Sequence, residues 1–191
     1  MKRKKLKITF NAPAVLGFVF LCFVVTLIGS ITNGASTKLL FVSYHTSLKN
    51  PMTYIRLITH VLGHSGWEHL LGNVMYLLLL GPMLEEKYGS RTIVEIIVTT
   101  ALVTGLVNYI FFWNVGLCGA SGVVFAFIIM ASFTGFRDGE IPLTFILVAV
   151  IYIGQQVIEG ITVTDDVSNL SHILGGLVGS VIGYNLNRKH G

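Results

Sequence analysis

The chain has 191 residues, 53% of them hydrophobic and 12% charged, with a mean hydropathy of +0.75. Water-soluble domains carry about twice that charge density, and one small core could not hide this much apolar surface, so an ordinary soluble domain and a disordered chain are both excluded. The net charge of +4 does not point to nucleic acid, because the basic residues gather at the chain ends instead of forming a stripe among exposed polar groups.

Lipid is the solvent this composition fits, and a bilayer core of about 30 Å needs roughly 20 apolar helical residues to cross it. Residues 14–31 form the first such stretch, behind a basic leader that runs from Lys2 to Lys7. The stretch is long for a cleaved signal peptide, and the apolar pattern resumes downstream, so a retained helix is expected. A second span covers 67–84 and a third 93–113, with Glu85, Glu86, Lys87 and Arg91 in the turn between them. Residues 96–136 carry no formal charge, too long a run for one helix. Asn114, Val115 and Gly116 supply the break, giving a fourth span at 117–135. The fifth is expected at 141–158 and the sixth at 169–187.

The expected fold is therefore an all-α polytopic membrane protein of six transmembrane helices, because open strands would leave backbone groups unpaired in hydrocarbon. Its parts are a basic N-terminus at 1–12, a membrane domain at 13–187 and a tail at 188–191. Six spans put both termini on one side, with Lys87, Arg91 and Arg137, whereas the opposite side carries only Lys38, Lys49 and Arg56. Both termini should then be cytoplasmic in a multi-pass protein of the inner membrane. The longest outer loop, 32–66, mixes Tyr44, His45, Tyr54 and Arg56 with apolar residues, as expected of a segment half-sunk in the interface. Cys22 and Cys118 lie in different apolar segments and offer no disulfide framework.

Polar groups inside a membrane are costly, and spans that keep them are where function is expected. His69 and Asn73 lie at i and i+4 in the second span and share a helix face. The fourth span opens with Gly119, Ala120, Ser121 and Gly122, and the sixth begins with Ser171 and His172. Spans two, four and six all run inward from the outer face, so these groups fall in one leaflet at similar depth. Their combined chemistry is acyl transfer: His172 is a base for the Ser121 hydroxyl, while the Asn73 amide, a His69 ring N–H and the Ser121 backbone N–H are donors for an oxyanion. His172, Gly176, Gly179 and Gly183 lie near one face of span six, with Gly175 beside them, a groove on which span four could pack.

The set Gly119-Ala120-Ser121-Gly122, Ser171-His172-Ile173-Leu174-Gly175 and His69 to Asn73 resembles the rhomboid intramembrane serine proteases, over most of the chain from Arg56 to Gly183. The resemblance implies the six-span minimal bacterial form, with Ser121 as nucleophile, His172 as general base, and His69 with Asn73 in the oxyanion hole. It further implies a serine endopeptidase that cuts transmembrane segments of other membrane proteins in the bilayer without metal or cofactor. Two positions depart from the family's pattern: Ile55-Arg56 stands where a Trp-Arg pair is common, and Phe125 where a tyrosine commonly stacks on the catalytic histidine. Glu85 matches a glutamate at the inner end of the second span and should be structural.

Other readings compete. A rhomboid-like protein without activity could bind transmembrane helices and guide them, and a small transporter could use His172 as a proton relay. His60, His64 and His69 could meet a metal ion, but the HExxH frame is absent; His60 and His64 are instead expected to line the wet approach to the site. Cys118, three residues before Ser121, is an alternative nucleophile.

Overall fold

The computed structural model describes residues 9–133, the helical positions 143, 144, 146, 147, 150 and 151, and residues 166–190, with side chains of the last segment described at 170–186. The predicted fifth span thus lies largely outside the described residues, as do the basic leader and the last residue of the tail. The named helices are α1 (Pro13–Ile31), α2 (Ala35–Leu40), α3 (Pro51–Thr59), α4 (Trp67–Tyr88), α5 (Ser90–Phe111), α6 (Ser121–Phe133) and α7 (Asp166–His190), with a 3-10 turn at His60–Leu62. Among the described residues the fold is all-helical, and strand pairing is limited to an isolated bridge between Ser43 and Leu117.

Two of these helices, α1 and α5, are long and apolar enough to cross a membrane. The six-span count expected from hydropathy is therefore not established by the helices themselves. In α6 no position from Ser121 to Met130 is exposed. A helix that is apolar on every side is a core helix. α6 packs against α4, α5 and α7.

The fourth span was expected from residue 117, but the helix starts at Ser121. The reason is local. Ser43 N–H donates to the Leu117 carbonyl at 2.9 Å and Leu117 N–H to the Ser43 carbonyl at 2.8 Å, which holds residue 117 extended. Gly119 then takes φ +129°, a conformation that side chains disfavour.

Glycines set the α6–α7 crossing. A Cβ at Gly175 would collide with the Gly122 carbonyl, and one at Gly179 would lie 2.5 Å from the Ala126 carbonyl oxygen. The expected packing of these two helices is thus found, with Gly175 and Gly179 at the contact.

At the opposite end of the bundle the buried Glu85 carboxylate accepts Ala14 N–H and Val15 N–H, each at 2.9 Å, and the Ser90 hydroxyl at 2.6 Å. These are orphan donors of the first turn of α1, where a negative charge is also favoured by the helix dipole. Val15, Leu77, Leu84, Ile93 and Phe127 are among the buried apolar residues of the core. Glu85→Ala should leave both N–H groups unpaired and destabilise the protein by about 2 kcal/mol or more, seen as a lower midpoint in detergent-denaturant unfolding, with Glu85→Gln in between.

Candidate active site

The start of α6 is held by the segment just before α4. Gly119 N–H donates to the His60 carbonyl at 3.0 Å, and Ala120 N–H reaches His64 Nε2 at 3.4 Å. His64 must then carry its proton on Nδ1, which donates to the Leu62 carbonyl at 3.2 Å. The turn that presents Ser121 is thereby tied to residues 60–64 at two successive N–H groups, leaving Ser121 as the first residue of α6.

His69 and Asn73 stand one turn apart on α4 and meet the same turn. A Cβ at Gly119 would lie 2.8 Å from both Cε1 and Nε2 of His69 and 3.9 Å from Asn73 Nδ2. Ser65 Oγ is 3.1 Å from His69 Nδ1. A hydroxyl donating there fixes the proton of the neutral ring on Nε2, the nitrogen beside Gly119. Asn73 is buried, and among the described residues its Nδ2 has no hydrogen-bond partner. A buried amide donor without an acceptor costs about 1–3 kcal/mol, so its retention points to a group that arrives later.

α7 brings the remaining candidate. The His172 ring lies 4.3 Å from that of Phe125, tilted by 43°. Phe125 is one turn after Ser121 on α6, and the contact of Gly122 with Gly175 lies beside it. The ring contact expected at the tyrosine position is made by phenylalanine, tilted instead of stacked and without a hydroxyl.

The three neighbouring histidines have separate surroundings. His60 is 1% exposed; its Nε2–H donates to the Ala101 carbonyl at 3.0 Å, and it packs against Thr104 of α5. The expectation that His60 lines the wet approach fails, because this ring is a core group that docks the 3-10 turn on α5. His64, with Ser65, Gly66, Thr26 and Cys118, borders a cavity of about 460 Å³. A second cleft of about 400 Å³ is lined by Ser65, Gly66, Glu68 and His69. Among the described residues no group of His, Cys, Asp or Glu is arranged to hold a metal ion.

The outer loop has its own anchor. Arg56 is buried; its Nε donates to the Leu39 carbonyl at 2.8 Å and its guanidinium sits 4.5 Å from the centre of the Tyr44 ring. The Ile55-Arg56 variant therefore still ties the loop together through the arginine.

With this geometry in hand, sequence comparison is decisive: the family model of the Rhomboid domain matches residues 51–189. The chain belongs to the rhomboid family. This rhomboid is 37% identical over 87 residues to the Rhomboid protease GlpG of Enterobacter sp. (strain 638), covering 44% of this chain and 30% of that one. It is 30% identical over 158 residues to Rhomboid-related protein 2 of Mus musculus, covering 72% and 52%. With the Rhomboid protease GlpG of Salmonella paratyphi A it shares 27% identity over 180 residues, 91% of this chain and 63% of the relative. The chain thus spans less than two thirds of the length of each of these relatives. Membership of the family makes it a multi-pass membrane protein.

Ser65 and the Ala120 contact of His64 were not found from the sequence. Ser65 stands four residues before His69, the same spacing that marks His69 and Asn73, and could have been read from it. The His64 contact reaches 56 residues along the chain and leaves no local signal.

Burial holds both loop histidines neutral, pushing the pKa of His60 and of His64 from 6.5 down to about 4, with the neighbouring His69 adding to the effect on His64. Between those values the unfolded chain binds more protons than the folded one, so stability is complete above about pH 6.5 and is lost as pH falls toward 4. Each ring should contribute up to about 1.4 kcal/mol per pH unit. Thermal unfolding in detergent should move to lower temperature as pH is taken from neutral into that window, and His60→Gln should flatten the dependence.

Proposed function

We propose that the chain is an intramembrane serine endopeptidase that hydrolyses peptide bonds in or near transmembrane segments of other membrane proteins. Ser121 is the nucleophile and His172 the general base and acid. The observation that carries this reading is the buried Asn73 amide, without a partner among the described residues, beside Gly119, two residues before a serine that opens a central helix.

In the reaction the Ser121 hydroxyl attacks the scissile carbonyl carbon as His172 accepts its proton. The carbonyl oxygen becomes an oxyanion, which takes hydrogen bonds from Asn73 Nδ2–H, His69 Nε2–H and the Ser121 backbone N–H at the helix start. His172 returns the proton to the leaving amine, and water then cleaves the acyl-enzyme by the same route. The absence of a Gly119 side chain keeps the space between these donors open. No third, acidic member is needed to hold His172, since the Phe125 ring supports the imidazole face.

A helical substrate hides its peptide bonds in i to i−4 hydrogen bonds, so segments weakened by Gly or Pro near the outer end of their span should be cut best. The enzyme sits in the inner membrane with both termini cytoplasmic, and its site opens to the outer face. No metal or cofactor takes part.

The purified protein in detergent should cleave such a segment and react with a fluorophosphonate probe at Ser121. Ser121→Ala and His172→Ala should abolish cleavage with folding intact; activity in either variant removes the dyad. Asn73→Ala should lower kcat by roughly 100- to 1,000-fold, the usual cost of one oxyanion donor. Ser65→Ala should lower kcat with little change in KM, because the hydroxyl acts through the His69 tautomer; an unchanged kcat would remove Ser65 from the site.

A further inference from the structure

At the end of the bundle that carries loops 32–66 and 112–120, a groove of about 390 Å³ is lined by Lys38, Tyr44, Trp113 and Asn114. Its aromatic wall is fixed in place. The Trp113 ring stacks on His45 at 4.3 Å with only 6° between the planes, His45 stacks in turn on Tyr109, and Trp113 Nε1–H donates to the Ile110 carbonyl at 2.9 Å. Against Tyr44 lies the Arg56 guanidinium, whose Nη1 is buried and has no hydrogen-bond partner among the described residues.

The charge of this region is one-sided. From residue 32 to 66 the sequence holds Lys38, Lys49 and Arg56 and no acidic residue. Among the described residues the only ion pair joins Arg91 and Glu95 at the other end of the bundle. Lys38 and Arg56 therefore present positive charge that no described carboxylate offsets. Next to the groove, Leu39 is 57% exposed and Phe111 70% exposed. A cation and indole on one side with bare apolar side chains alongside match an amphiphile, whose phosphate and tails are met separately; a soluble anion would have no use for the apolar wall.

We propose that this groove binds the headgroup of an anionic phospholipid, its phosphate paired with Lys38 in the field of Arg56 and its glycerol edge against Tyr44 and Trp113. The site is separate from the Ser121 region and does not depend on the protease reading.

The test uses Trp67→Phe, which leaves Trp113 as the sole indole in a chain with two tryptophans. The full chain is reconstituted in phosphatidylcholine vesicles carrying a small, equal fraction of brominated phosphatidylglycerol or brominated phosphatidylcholine. The anionic lipid should quench Trp113 roughly two- to fivefold more strongly, the enrichment expected from one basic group at the surface. Lys38→Gln should bring the two lipids to parity, Lys38→Arg should keep the preference, and Lys49→Gln, which removes the same charge elsewhere on the loop, should also keep it. Equal quenching by both lipids in the Trp67→Phe protein would overturn the proposal. So would loss of the preference in Lys49→Gln to the same degree as in Lys38→Gln, which would mean a diffuse surface field, or its full suppression by inorganic phosphate at constant ionic strength, which would mean a soluble-anion site. If Trp67→Phe fails to fold, Trp67→Tyr serves the same purpose.

Discussion

Two helices can touch backbone to backbone only where side chains are missing, and the contact of Gly122 with Gly175 and of Ala126 with Gly179 is the constraint on which the remaining geometry depends. It brings the first turn of α6 against the turn of α7 that carries His172. Any larger residue there would push the helices apart by more than a hydrogen bond can stretch. Because lipid gives no hydrophobic drive for helix association, such close van der Waals contact is the main attraction available.

A second layer of order comes from the 60–65 segment, which acts as a scaffold for the turn ahead of Ser121. Backbone and ring atoms of His60 and His64 take the Gly119 and Ala120 N–H groups, and Ser65 meets the ring of His69. Loops usually carry function because a rigid frame holds them. Here the frame is itself a loop, stiffened by a buried histidine on α5 and a buried arginine on the Leu39 carbonyl.

Much of this was legible in the amino-acid order. The long uncharged runs mark α1 and α5, the i, i+4 spacing marks His69 and Asn73 on one face, and the small residues of the last helix announce a close neighbour. The family resemblance seen in the Gly-Ala-Ser-Gly and Ser-His segments agrees with the domain match. What could not be read is what depends on partners remote in sequence. Hydropathy treats an apolar run as lipid-facing, so it could not tell that α6 is walled in by protein and begins four residues later than its apolar run. Nor could it distinguish His60, sunk against α5, from His64, at the edge of a cavity, because the difference lies in contacts remote in sequence. Arg56 shows a further limit: a departure at its neighbour, Ile55, says nothing about the carbonyl and ring that hold the guanidinium.

The Glu85 clasp carries a consequence for where this domain begins. The segment matched to the family starts at residue 51, yet the carboxylate at the far end of α4 accepts hydrogen bonds from amides of a helix that precedes it. A chain begun at that boundary would strand an anion, and the notch at Gly81 that seats Val15, against lipid. The leading helix is thus a structural member of the fold, integral to its foundations, and more than a tether that happens to come first.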